Sequence, residues 1–294
     1  MNIIIYGAVN SVTFALIAVG FTLVYGVSRL PNFAHGAIYV LAGFLTWSFI
    51  NDFNIPYLLA IILSLSISAI IGVAIYRFVL MRIRGMPTSE IIASFAIGLI
   101  ILEGLRLQNI AGFKGFIGPF YVLPAFIDGT MTIAGVSIDY QRIIVVVCGI
   151  FVVGFLWFFT HHTRLGLSLR AIAQDEHASM MLGIDSDFAA TVSLAIGSAL
   201  AALAAIIILP LGNITAEAGY NVLLNAIAVC IIGGLGSWGG AVLASFVLGY
   251  SIIITTALFG AMWQSVVLVG VIILILILKP SGLFGKQKEL EERV

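Results

Sequence analysis

Glu103 and Arg106 stand three residues apart in an otherwise apolar run, AIGLIILEGLRL. A spacing of i, i+3 puts both on one face of a helix, close enough to pair. Ionisable groups in such surroundings are costly unless paired or functional. Two chemistries fit them: a structural ion pair whose arms reach toward an interface, or a proton-carrying carboxylate. Glu217, Asn221 and Asn225 recur at i, i+4 and i+8, a polar stripe that could line a pore, join helices or meet solvent at an outer surface. Asn32 and His35, in PNFAHG, share a helical face and either line a pathway or make structural hydrogen bonds. His161 and His162, beside Arg164 at a helix end, suit solvation or compensation of the helix dipole. Catalytic constellations are missing from the sequence. There is no G-x-x-x-x-G-K-[ST], since Gly285 and Lys286 run on into Gln287, and no G-x-S-x-G or metal-ligand cluster. Cys148 and Cys230 sit alone in apolar runs and read as packing residues.

The elements that hold these residues follow from composition. In 294 residues, 62% are hydrophobic and 9% charged, and the mean hydropathy is +1.20. No soluble core absorbs that much apolar surface, so the bilayer is the solvent. In lipid the backbone polar groups must be satisfied within helices or closed barrels, and barrel alternation is absent. The pattern predicts an all-α polytopic membrane bundle of about eight or nine transmembrane helices with short broken or re-entrant pieces, in one domain over residues 1–294. Helices are predicted at about residues 3–27, 36–50, 56–77, 88–108, 141–160, 188–209, 220–235, 240–258 and 262–278. The seventh is the doubtful crossing, because roughly 16 residues rise only about 24 Å. With the first residue outside, ten of the thirteen Lys and Arg residues fall on the inner side: Arg29, Arg77, Arg82, Arg84, Arg164, Arg170, Lys279, Lys286, Lys288 and Arg293. The positive-inside rule then predicts nine crossings, an outer N-terminus and an inner C-terminus. The N-terminus has neither a charged n-region nor a cleavage site, so no cleaved signal peptide is read there. A net charge of +0 gives no sign of nucleic-acid binding.

Two places break the helical pattern alike, PNFAHGAIYVLAGF (31–44) and GGLGSWGGAVLASF (233–246). Broken helices flank pathways in many transporters. Asn32, His35, Glu217, Asn221, Asn225, Gly233, Gly236 and Trp238 are therefore candidate pathway residues, with tight glycine packing as the alternative. The segment 161–187 combines an inner address with helix signals. Leu165, Leu169, Ile172 and Ala173 repeat at helical spacing, Gly183 is a stop, and Asp185 to Asp187 supply a cap for the next helix. Its apolar stripe belongs on lipid headgroups or in a partner's groove, and Met180 and Met181 suit an adaptable contact. The outer stretch 111–140 holds several aromatics, as interfacial belts do, and MTIAGVSI (131–138) predicts a hairpin across Ala134 and Gly135.

In order and sidedness, PNFAHG, RLGLSLRAIAQDEHASMMLGI and IGGLGSWGGAVLAS resemble the permease subunits of branched-chain amino acid ABC importers, over nearly the whole chain. The segment 161–187 is similar to that family's cytoplasmic coupling element, with Glu176, Ala178 and Gly183 echoing it at a spacing one residue longer than usual. The resemblance implies ATPase-coupling roles for Arg164, Leu169, Arg170, Ile172, Asp175, Glu176, Ala178, Met181 and Gly183. It implies a periplasmic loop at 111–140 that receives a binding protein, and a cytoplasmic tail at 279–294. It further implies an importer in a bacterial inner membrane, in contact with its lipids. The partners would be a second permease chain in a heterodimer, two cytoplasmic ATPases and a periplasmic substrate-binding protein. ATP and Mg would be bound by the ATPases, with no cofactor or metal in this chain. Branched-chain or other hydrophobic amino acids are the implied cargo. Urea or small amides in the same family, and an ion-coupled secondary transporter using Glu103, are the alternatives.

Overall fold

The computed structural model describes residues 2–29, 31–107, 122–133 and 135–285. The elements run α1 (Asn2–Ser28), α2 (His35–Asn51), α3 (Tyr57–Phe78), α4 (Pro87–Leu107), β1 (Thr130–Ile133), β2 (Val136–Asp139), α5 (Tyr140–His162), α6 (Arg164–Gln174), α7 (Glu176–Met181), α8 (Ser186–Ile208), α9 (Ala216–Gly233), α10 (Trp238–Phe259) and α11 (Gln264–Leu278). This is an all-α polytopic bundle. Among the described residues, eight helices are long and apolar enough to cross a membrane by length and composition. Of the nine spans expected from sequence, the one left out is α2, at 17 residues. The sequence pointed instead to the seventh stretch. That helix, α9, starts four residues earlier than its apolar run, because Thr215 caps it by accepting from Ala218 N at 3.2 Å and Glu217 sits in its first turn.

These helices are apolar nearly all round, so the packing is decided by small residues rather than by amphipathic faces. α1 and α8 form the centre and α11 lies at the rim, largely exposed. Where α1 crosses α8, a Cβ on Gly20 would lie 2.9 Å from Gly197 O. Only glycine permits that backbone approach. The two strands form an antiparallel hairpin pairing Thr130 with Asp139 and Ile133 with Val136, the hairpin expected over 131–138.

Side-chain and backbone contacts sort the connections onto two opposite faces. On one face, Tyr6 near the start of α1 donates to Ser137 O of the hairpin at 2.8 Å, and Tyr57 at the start of α3 donates to Pro124 O at 3.1 Å. Tyr57 also packs edge-on against Phe126, the rings 4.8 Å apart. On the other face, Arg29 at the end of α1 donates to Ala173 O at 2.6 Å, and Leu283 N and Phe284 N donate to Ile232 O and Gly233 O at 2.8 and 3.0 Å. Residues 279–285 are thus pinned under the α9–α10 turn rather than forming a free tail, while Lys286, Lys288 and Arg293 lie outside the described residues. So do residues 108–121, including Lys114.

The segment 161–187 is two helices, not one. Asp175 leaves helical geometry, ends α6 and caps α7, its carboxylate accepting from Ala178 N at 2.9 Å. Its buried stripe is Gly166, Leu169 and Ile172, the last two packed on Leu23 and Val27 of α1 and Ala189 of α8. Leu165 was expected in that stripe but is 45% exposed, because the tight Thr163 cap, accepting from Gly166 N at 3.0 Å, turns Gly166 inward instead.

Candidate functional site

Three groups of functional candidates emerge, at three depths. The first is an ionic clasp on the face that carries Arg29. Arg84, in the short loop between α3 and α4, forms ion pairs with Glu176 at the start of α7 and with Asp187 in the first turn of α8. Ser186 donates to the same Glu176, and Tyr76 of α3 donates to Asp187 at 2.9 Å. Desolvation works to lower Arg84, but the neighbouring negative charges outweigh it and hold the guanidinium above its ordinary value. The clasp is therefore a fixed positive charge holding two helix N-termini through their own acidic residues. Met181 and Leu182 stand just beyond it, 88% and 81% exposed.

The clasp continues along α4. Glu90, one turn into α4, accepts from Gly85 N at 3.0 Å beside Arg84. One turn further on, Ser94 accepts from Phe33 N at 3.3 Å. Phe33 belongs to the second group, the break before α2. Here Asn32 turns the chain, its side-chain oxygen accepting from Ala34 N at 3.1 Å and its carbonyl from His35 N at 3.2 Å. His35 is 1% exposed, with Nε2 3.1 Å from Ile17 O and its ring edge-on to Phe21. Ile17 lies near the middle of α1, so α2 begins at mid-depth. Non-helical backbone there is tolerated because protein surrounds it. A Cβ on Gly36 would meet Gly219 C at 3.0 Å, so α2 starts almost backbone to backbone with α9.

The third group is at the hairpin face. Arg106 holds Glu103 at 3.0 Å and Glu217 of α9 at 2.6 Å, a bridge between α4 and α9. Below it on α9, Asn221 is exposed and Asn225 half-buried, on the same outward face as Leu224.

The structure does not unite the eight candidate pathway residues. Asn32 and His35 are buried in the bundle, while Glu217, Asn221 and Asn225 look out of it. Gly233, Gly236 and Trp238 belong to the far end of α9, where positive φ at Gly234 and Gly236 makes a tight turn at the level of Gly26 in the last turn of α1. The second break is thus a helix hairpin at the rim of the face that carries Arg29, and only the first lies at depth. Gly236 and Trp238, with Arg170, Asp175 and Glu176, line a cavity of about 1110 Å³. Of the coupling candidates, Leu169 and Ile172 face the bundle, whereas Arg164, Ala178, Met181 and Gly183 are exposed. Arg84, Tyr76, Glu90 and Ser94 were not singled out from sequence. The partners of Arg84, Tyr76 and Ser94 are remote in the chain, and spacing carries no signal of that kind; Glu90 bonds locally, to the loop at Gly85. Among the described residues no group of three or more His, Cys, Asp or Glu could hold a metal ion.

Residues 3–276 match the family described as branched-chain amino acid transport system / permease component. The chain is 29% identical to the high-affinity branched-chain amino acid transport system permease protein BraD of Pseudomonas aeruginosa, over 93% of this chain and 92% of that one. It is 25% identical to the corresponding LivH protein of Escherichia coli K12, again over 93% and 92%. In structure it superposes on PsaBC from Streptococcus pneumoniae, solved in complex with a Fab, with a TM-score of 0.56 at 10% identity, covering 100% of this chain and 96% of that one. That likeness concerns the fold.

Proposed function

The chain belongs to the branched-chain amino acid transport system permease family, a transporter subunit rather than an enzyme, and from this premise we propose that it is the membrane half of an ATP-driven importer. In this reading the clasped face is cytoplasmic, the hairpin face periplasmic, and the membrane a bacterial inner membrane. Two ATPase subunits bind ATP and Mg and grip α6 and α7. A periplasmic binding protein delivers branched-chain or other hydrophobic amino acids to the hairpin face. The observation that carries the reading is the Arg84 clasp, which ties the exposed α7 to both α3–α4 and α8. A helix pair packed on α1 and α8 through α6 and tied to Arg84 through Glu176, yet presenting Met181 and Leu182 outward, suits a mechanical handle.

The outward face of α9 supports a second permease chain. Glu217, Asn221 and Asn225 cannot face hydrocarbon without cost, so this face borders a partner and the route between the two chains. A permease that binds cargo weakly along such a polar seam needs no deep amino-acid site. Glu103 shares Arg106 with Glu217, an arrangement that suits a latch between α4 and α9 better than a proton carrier. The test is uptake of radiolabelled leucine into proteoliposomes holding the chain with its second permease, its ATPases, internal ATP and the binding protein. Uptake requiring every component supports the reading. Uptake by this chain alone under an imposed proton gradient would assign it to ion-coupled transport. Uptake of urea with no uptake of leucine would change the cargo.

A further inference from the structure

Glu90 is a buried carboxylate that the clasp does not neutralise. It is 7% exposed, and Arg84, the positive charge that acts on it, is already paired with Glu176 and Asp187. Among the described residues no ion pair includes Glu90, and Arg77 and Arg82 of the same stretch are exposed. A buried charge is costly unless it is paired or bound to a cation. Its place in the first turn of α4 offsets only part of that cost. Glu90 borders a cavity of about 20 Å³, room for one particle the size of a water molecule. Oxygen-bearing residues line this cavity from four places: Ser28 at the end of α1, Pro31 and Asn32 in the break before α2, Tyr76 on α3, and Ser94 with Glu90 on α4. The hydroxyl protons are spent elsewhere. Ser28 donates to Val24 O at 2.8 Å, Tyr76 to Asp187, and Ser94 to Ile91 O at 3.0 Å. The Asn32 amide is the one side-chain donor left among the lining residues, against a carboxylate and three hydroxyl oxygens.

An acceptor-rich chamber of this size, beside a carboxylate with no ion-pair partner, calls for a positive charge rather than a neutral molecule. Its position agrees. Unwound backbone and the carbonyl ends of helices coordinate small cations where transporter helices are broken, and here the last turn of α1 meets the break at Pro31 and Asn32. We propose that this cavity binds one alkali-metal cation, Na+ or K+, with Glu90 supplying the balancing charge and the oxygens of Asn32, Tyr76 and Ser94 serving as neutral ligands. Mg2+ fits poorly, because it keeps several of its waters and the cavity has no room for them. A cation there fastens α1, the break, α3 and α4 at one point, on the opposite face from Glu103 and Arg106.

The test measures binding of radioactive Na+ to the purified full chain by scintillation proximity, with choline chloride holding the ionic strength constant. It reads occupancy, not uptake, so its failure leaves the importer reading standing. Saturable binding of one ion per chain is expected, displaced by unlabelled NaCl or KCl and not by choline chloride. Glu90→Gln should abolish it. Ser94→Ala and Tyr76→Phe, which keep the carboxylate, should raise the half-saturating concentration severalfold, while Glu217→Gln, on the hairpin face, should leave it unchanged. A melting series keeps the proposal testable if Glu90→Gln does not fold. The parent chain's melting temperature should rise with NaCl or KCl, as for any ligand that binds only the folded state, and Ser94→Ala should need severalfold more salt for the same rise. Equal binding by the parent and Glu90→Gln, or an equal rise with choline chloride, would overturn the proposal. So would no binding of either ion by the parent, a result that would assign the cavity to water.

Discussion

At the scale of single residues, the account turns on Arg84. The partners in its ion pairs are 35–43% exposed, and pairs of that kind contribute only about 0–1 kcal/mol each. Arg84→Gln should therefore leave the chain folded and inserted, with a melting temperature within a few degrees of the parent. Transport per ATP hydrolysed should nonetheless fall severalfold, because the handle is no longer tied to two spans. The exchange Arg84→Glu with Glu176→Arg should restore part of that loss, whereas Arg84→Glu alone should not. Equal coupling ratios in all variants would remove the clasp from the mechanism. Glu103 and Arg106 were legible as a pair because helical periodicity brings i and i+3 together whatever the fold. Arg84 was legible only as an inner-side charge, since its partners lie 92 and 103 residues on. For the same reason the sequence leaves Glu217 open between lining a pore, joining helices and meeting solvent, and does not name Arg106 as its partner.

At the scale of elements, the two halves of the handle make different predictions. Asp175→Ala removes the α7 cap, a loss of about 1 kcal/mol, and should raise hydrogen exchange over residues 176–182 while leaving α6 unchanged. Met181→Asp touches nothing inside the bundle and should abolish co-purification of the ATPases without altering stability. Leu169→Asp, at a position 2% exposed, should instead prevent folding, since burying a carboxylate with no partner costs several kcal/mol. The apolar period over 161–187 made a helix legible, but the break at Asp175 was hidden, because an aspartate reads equally well as a surface residue or a cap. The same ambiguity misplaced the short helix. Hydrophobic length alone cannot see that Thr215 extends α9, nor that α2 begins at mid-depth where Asn32 and Ser94 satisfy its backbone. Widening that start with Gly36→Val would push Gly219 away and should cost about 1–3 kcal/mol by overpacking, read as a lower melting temperature in detergent.

At the scale of the whole molecule, the bundle was legible because bilayer thickness and backbone satisfaction leave few ways to arrange so many apolar runs. The bias of Lys and Arg then separated two faces, and the contacts of Arg29, Arg84 and Phe284 on one and of Tyr6, Tyr57 and Arg106 on the other show two such faces in the fold. Which face meets the cytosol is the claim on which coupling, docking and direction of transport all depend. It is tested by replacing Cys148 and Cys230 with Ala, placing one cysteine at Met181, and labelling with a membrane-impermeant maleimide in right-side-out and inside-out vesicles. The account predicts labelling only in inside-out vesicles, and protection when the ATPases are bound. Labelling in right-side-out vesicles would contradict it.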